Sequence, residues 1–236
     1  MSDDQLAEIE QLLPQLSSAM AARRLDDTAK RALESLKDAP RQAKRFESYV
    51  GAIETLGASK DGTVRGPLSS ATKHAEEVGE ALEAASDSSG VQDASTDFLT
   101  ALVPAVGRLE VAVTDKWRTV VREQFEPLAG TGALLDMIPA TRELGAKLKA
   151  TAQCARNLAE NRTPAEEFAQ SIVKLMVDQE ALRRQVQAAS GGQPEVDSFL
   201  EALAANRATL RHMTPGVLEW LSTNDALGAF AVRAAA

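Results

Sequence analysis

Apolar residues recur at three- and four-residue steps along almost the whole chain, while the strict alternation of a half-buried strand is nearly absent. Ser2 and Gln5 have the spacing of a capping box, and Leu6, Ile9, Leu13, Leu16 and Met20 follow on one helical face, with a kink expected at Pro14. A short helix is predicted near Asp26–Lys37, ending before Asp38-Ala39-Pro40. RQAKRFESYVGAIETLG then places Phe46, Tyr49, Val50, Ile53 and Leu56 together and stops at Gly57, a residue suited to a left-handed C-terminal cap. The next stretch, ASKDGTVRGP, is rich in turn formers and is expected to be an exposed loop.

Leu68, Ala71, Ala75, Val78, Leu82 and Ala85 form a thin stripe on a further helix, which runs into the linker-like SDSSG. That composition suggests an N-terminal helical subdomain over residues 1–88 and a C-terminal long-helix bundle with an apolar tail over residues 91–236. In the second part Leu99, Leu102, Val106, Leu109 and Val113 keep the alternating steps of a coiled-coil-like seam, prolonged by Trp117, Val120, Val121 and Phe125. A helix over 93–125 would be about 50 Å long at 1.5 Å per residue. Pro104 and Gly107 lie inside it without breaking the apolar phase, so one kinked helix is expected rather than two.

FEPLAGTGALLDMIP, with its prolines and glycines, reads as the turn after the long helix, with Leu134, Leu135, Met137 and Ile138 buried. A helix with Leu144, Leu148, Ala155 and Leu158 inward follows. Thr163-Pro164-Ala165-Glu166 supplies a cap, a proline at the first helical position and a reciprocal glutamate, and Phe168, Ile172, Leu175, Met176, Leu182 and Val186 carry that helix to Ser190-Gly191-Gly192. Val196, Phe199, Leu200, Leu203 and Leu210 mark another helix from Pro194. Thr214-Pro215 opens a short last one that buries Leu218 and Leu221 with Trp220 at its edge, before AFAVR, whose alternation suits an extended segment.

Composition supports the helical pattern. With 44% hydrophobic but only 4% aromatic residues, the apolar surface comes from Ala, Leu and Val, which suits helix packing better than sheets. The predicted class is all-α, an elongated antiparallel multi-helix bundle with one long kinked central helix. A net charge of −8 argues against a broad affinity for phosphate-rich surfaces. One cysteine gives no disulfide framework and suits a reducing compartment. MSDDQLAEIE opens acidic, without a basic region followed by an apolar one, and no apolar run approaches the roughly 20 residues of a membrane helix. The expected location is the cytoplasm, with no membrane partner.

Candidate chemistry is sparse. His74 and His212 complete no metal motif, although His74 and Glu77 can pair on one helix face. Cys154 lies among alanines in mid-helix and is expected to be a small core residue. Gly130-Thr131-Gly132 lacks the strand and lysine of a phosphate loop and is expected to be a turn where two helices approach. Glutamate pairs such as Glu76/Glu77 and Glu166/Glu167 read as solvated faces. No catalytic, cofactor or metal site is therefore expected, and the chain is expected not to be an enzyme. The remaining reading is a scaffold or adaptor that assembles with another protein or with itself through an exposed seam of the long helix or through the apolar tail with Trp220, Leu227, Phe230 and Val232, a tail that packs either on its own bundle or on a partner. The alternative is a nucleic-acid-associated accessory protein using Arg41, Lys44 and Arg45, with Arg118, Arg122, Arg207 and Arg211 as lesser basic positions.

Overall fold

The structure is a computed structural model that describes residues 27–28, 30–85, 87–204 and 207–229. The expected first helix, with Leu6, Ile9, Leu13, Leu16 and Met20, lies outside the described residues. Those residues fold entirely as helices and connections, with no strand among them, so the class is all-α. Residues 30–36 (α1) precede α2 (Ala39–Thr55), α3 (Gly62–Ala84) and α4 (Ser88–Asp97). From Ser88 the backbone stays helical to Asp136, through a wide π-helical turn at Phe98–Leu102, α5 (Val103–Val120), a second wide turn at Val121–Phe125, and α6 (Glu126–Asp136). Then come α7 (Arg142–Glu160), α8 (Ala165–Ala189), α9 (Pro194–Ala204) and α10 (Pro215–Thr223). Two compact units result: one takes the described residues up to Val50 with Lys60–Ala112, the other Gly51–Ser59 with Val113 onward.

In the first unit α3 packs on α4 and the first wide turn. Gly57 adopts φ +60 as the sequence predicts, but the expected ASKDGTVRGP loop shrinks to a short connection. The Asp61 carboxylate accepts hydrogen bonds from the Thr63 N–H (3.0 Å) and hydroxyl (2.7 Å), and Val64 is fully buried one residue later. A strong cap thus starts α3 at Gly62 despite the glycines and Pro67 that follow. SDSSG is likewise no linker, because Asp87 caps α4 by accepting from the Gly90 N–H at 2.9 Å.

The long helix is continuous and kinked, but its phase is not what the apolar spacing implies. Val106, Leu109, Val113, Trp117, Val120, Val121 and Phe125 are buried, whereas Leu99 is 48% exposed and Phe98 takes its place at 1%. The cause lies in the wide turn. The Val103 N–H bonds the Phe98 carbonyl, five residues back, so one extra residue enters the turn and the helix upstream is rotated by one position. FEPLAGTGALLDMIP, expected as a turn, continues the helix by the same device: the Glu126 N–H bonds the Val121 carbonyl just before Pro127. Leu135 and Ile138 are buried as expected, and Met137 is exposed.

The second unit is held by a close crossing of α6 on α7. The Thr141 hydroxyl donates to the Leu135 carbonyl (2.9 Å) and fixes the connection, and Lys149 pairs with Asp136 at 2.7 Å. Gly132 and Gly145 face each other where the helices cross; a Cβ on Gly145 would stand 2.6 Å from the Gly132 carbonyl oxygen and 2.5 Å from the Asp136 nitrogen. The Gly130-Thr131-Gly132 segment is therefore helix rather than turn, and glycine serves the approach of two backbones. Trp117 donates to the Ala155 carbonyl at 3.2 Å and meets Phe125 edge-on, with ring centroids 5.5 Å apart.

Two other expectations on capping and register change. Pro164, extended at ψ 143, is the cap residue of α8 and no side-chain capping bond forms, so Thr163 and Glu166 do not make the predicted box. α9 ends at Ala204, which leaves Leu210 in a short 3-10 turn and exposed. The Ser190-Gly191-Gly192 stop is as predicted, with both glycines at positive φ.

The glycine crossing generates a prediction of opposite signs. Gly145→Ala should lower stability by about 1–3 kcal/mol in denaturant titration, because the clash is with backbone. Gly79→Ala, with nothing within 4 Å of the new Cβ, should raise it by up to about 1 kcal/mol. Equal effects would show that α6 and α7 do not cross at these residues.

Candidate interaction surfaces

α10 begins where Thr214 accepts from the Val217 N–H at 3.4 Å, with Pro215 at the first helical position, and the Thr214 hydroxyl donates to Glu195. Val217, Trp220 and Leu221 share one face and are buried. The Trp220 indole N–H donates to the Ala189 carbonyl at 2.9 Å, at the end of α8. Trp220 thus corrects the expectation twice: it is not at the helix edge, and its ring is spent on its own chain. Leu218, expected inside, is 43% exposed, because it lies one residue off the buried face.

After α10, Asp225 takes a left-handed backbone (φ 52), and the Ala226 N–H bonds the Leu221 carbonyl at 2.8 Å, burying Ala226. Leu227 then emerges 52% exposed. Phe230 and Val232 lie outside the described residues. Of the four predicted tail residues, the structure places Leu227 on the surface and Trp220 in the core.

The basic cluster on α2 is divided. Arg41 and Lys44 are exposed, but the Arg45 guanidinium pairs with Glu110 on α5 at 2.5 Å and donates to Gln42 at 2.8 Å. Beneath it Tyr49 is almost wholly buried. Burial first, and then the Glu110 charge, push its phenol above the usual tyrosine range, and Arg45 opposes them. Arg118, one of the lesser basic positions, bonds Asp115 at 2.7 Å and the Ala159 carbonyl at 3.2 Å.

α7 and α8 flank an open groove of about 460 Å³ with Cys154, Leu158 and Leu175 in its lining beside Glu167, Lys174 and Asp178. Cys154 is exposed there, not in the core, because Leu148, Ala152, Ala155 and Leu158 occupy the buried face of α7. Val173 and Val177 are exposed on α8, one turn apart. His74 and Glu77 pair at 2.9 Å as their spacing suggests, and that hydrogen bond is the main cause holding the Glu77 carboxyl below its usual range. His212 closes a small capping box with Thr209.

Among the described residues no group of three or more His, Cys, Asp or Glu could hold a metal ion, and no helix is long and apolar enough to cross a membrane. No protein-family model, curated protein or solved structure matches the chain.

Tyr49 is the one tyrosine of the sequence, so its ionisation can be followed without ambiguity. Its phenolate should appear above the ordinary value of 10.0 in an ultraviolet pH titration of the folded protein. A raised folded value means that the contribution is present below the unfolded pKa, near about 10, and is lost as pH rises through the folded one. A midpoint at or below the ordinary value would contradict the buried placement.

Proposed function

We propose that this chain is a non-catalytic helical adaptor, working in the cytoplasm, that assembles with another protein or with a second copy of itself. Its contact surface is a C-terminal edge that includes the exposed Leu218 and Leu227; Phe230 and Val232, which lie outside the described residues, are candidates from the sequence alone. One observation carries the reading: two large aliphatic side chains stand in solvent on a segment whose neighbours Val217, Trp220, Leu221 and Ala226 are firmly packed. An apolar surface presented by an anchored segment costs little ordering entropy on binding, which is how a preorganised docking edge gains affinity. The acidic charge and single cysteine agree with a cytoplasmic setting. The basic residues on α2 offer less, since Arg45 is already committed to Glu110 and Gln42.

The double substitution Leu218→Ser with Leu227→Ser tests the edge, because neither residue is needed in the core. Light scattering should show the wild-type chain in a stoichiometric complex, with itself or with a co-purified protein, and the double variant without it at an unchanged thermal midpoint. A wild-type chain that stays alone, or a variant that keeps the complex, rules the edge out.

A further inference from the structure

α8 holds two valines in solvent: Val173 is 47% exposed and Val177 is 62% exposed. Valine is a poor residue for an exposed helix position, because its branched side chain loses rotamer freedom against the preceding turn without gaining a contact. The other face of the same helix is fully used, with Phe168, Ile172, Leu175 and Leu182 buried. Val173 and Val177 thus form a patch that the chain's own fold leaves uncovered.

The residues flanking the patch indicate what covers it. Glu166, Gln170, Glu180 and Arg184 are exposed on the same face, each within about 40° of the direction opposite Leu175 at 3.6 residues per turn. From Glu166 through Gln170, Val173, Val177 and Glu180 to Arg184 the steps alternate between four and three residues, the spacing of a two-helix seam. Their order is also self-complementary about Leu175. A second α8 running antiparallel, with the two-fold axis level with Leu175, sets Val173 against Val177, Gln170 against Glu180 and Glu166 against Arg184, each contact occurring twice. We infer that α8 pairs in this register with α8 of a second copy of the chain.

Charge selects the direction. A parallel pair would set Glu166 against Glu166 and Arg184 against Arg184, whereas the antiparallel pair brings opposite charges together at both ends. Arg184 already lies beside Glu180 of its own chain, and in the seam it reaches Glu166 of the second copy while the Gln170 amide of that copy donates to Glu180. Exposed ion pairs add little affinity, so the valines supply the attraction and the charges fix the register. Ala181 beside the seam is small enough to let the backbones approach. A seam about 27 Å long at 1.5 Å per residue is a small interface, and the dimer should therefore dissociate on dilution.

Sedimentation equilibrium of the full chain, over a dilution series reaching about 1 mM, should show a reversible monomer–dimer equilibrium. Val177→Lys should leave the chain monomeric throughout, because a charge would have to be buried against Val173 of the second copy. Glu166→Arg and Arg184→Glu should each weaken the dimer by about tenfold, since two attractive contacts become repulsive, and the two together should restore it. In a Cys154→Ser background, oxidation should cross-link a mixture of Val173→Cys and Val177→Cys chains but neither chain alone. A wild-type chain that is monomeric throughout the series, or charge variants that fail to rescue each other, overturns the pairing. Self-cross-linking of each cysteine variant means a parallel pair and overturns the register. None of these residues belongs to the edge at Leu218 and Leu227, so the two proposals fail separately: a dimer kept in Val177→Lys but lost in Leu218→Ser with Leu227→Ser belongs to that edge and not to α8.

Discussion

A proline within a helix leaves one carbonyl without its donor and drives its ring against the turn behind it. The long helix contains two, Pro104 and Pro127, and it meets both in the same way. Each follows a wide turn, Phe98–Leu102 or Val121–Phe125, and in each the residue just before the proline bonds back five positions instead of four. The extra residue relaxes the crowding while keeping the backbone helical, so one helix runs where prolines would ordinarily end it. Everything packed on this helix takes its register from those two turns.

Within the second unit the consequences can be followed residue by residue. Trp117 and Phe125 flank the second wide turn and remain on the buried face, stacked edge-on. Gln124, inside that turn, receives the buried Gln179 amide of α8 on its carbonyl and side-chain oxygens at 3.4 and 3.2 Å. Downstream, α6 keeps the phase that brings Gly132 onto Gly145. A local backbone adjustment thus fixes a helix crossing and a buried polar contact.

Much of this was legible in the sequence, because helical periodicity and caps are local signals. The faces holding Tyr49 and Ile53, Leu109 and Trp117, and Phe168 and Ile172 are buried as the spacing says, and Gly57 and the Gly191-Gly192 pair end their helices. What failed was punctuation. Glycine and proline normally mark turns, yet at Gly62–Pro67 and Glu126–Gly132 they lie within helices, through the Asp61 cap in one case and a wide turn followed by a close crossing in the other. Neither effect shows in composition, since one depends on a single side-chain oxygen and the other on a helix remote in sequence. The surfaces were less legible still: Leu227 is exposed and Trp220 turns inward onto the Ala189 carbonyl, a difference that the apolar spacing of the tail does not carry.

The rotation of the helix upstream of Pro104 is the most exacting consequence of the wide turns, and it separates two adjacent residues. Denaturant unfolding of Phe98→Ala and Leu99→Ala measures it directly. The wide turn puts Phe98 in the core, so its truncation should cost about 3–5 kcal/mol, while truncation of the exposed Leu99 should change stability by no more than about 0.5 kcal/mol. The reverse ranking would mean that the helix runs through Pro104 in unbroken α phase, with Leu99 in the seam, and that the wide turns do not set the packing.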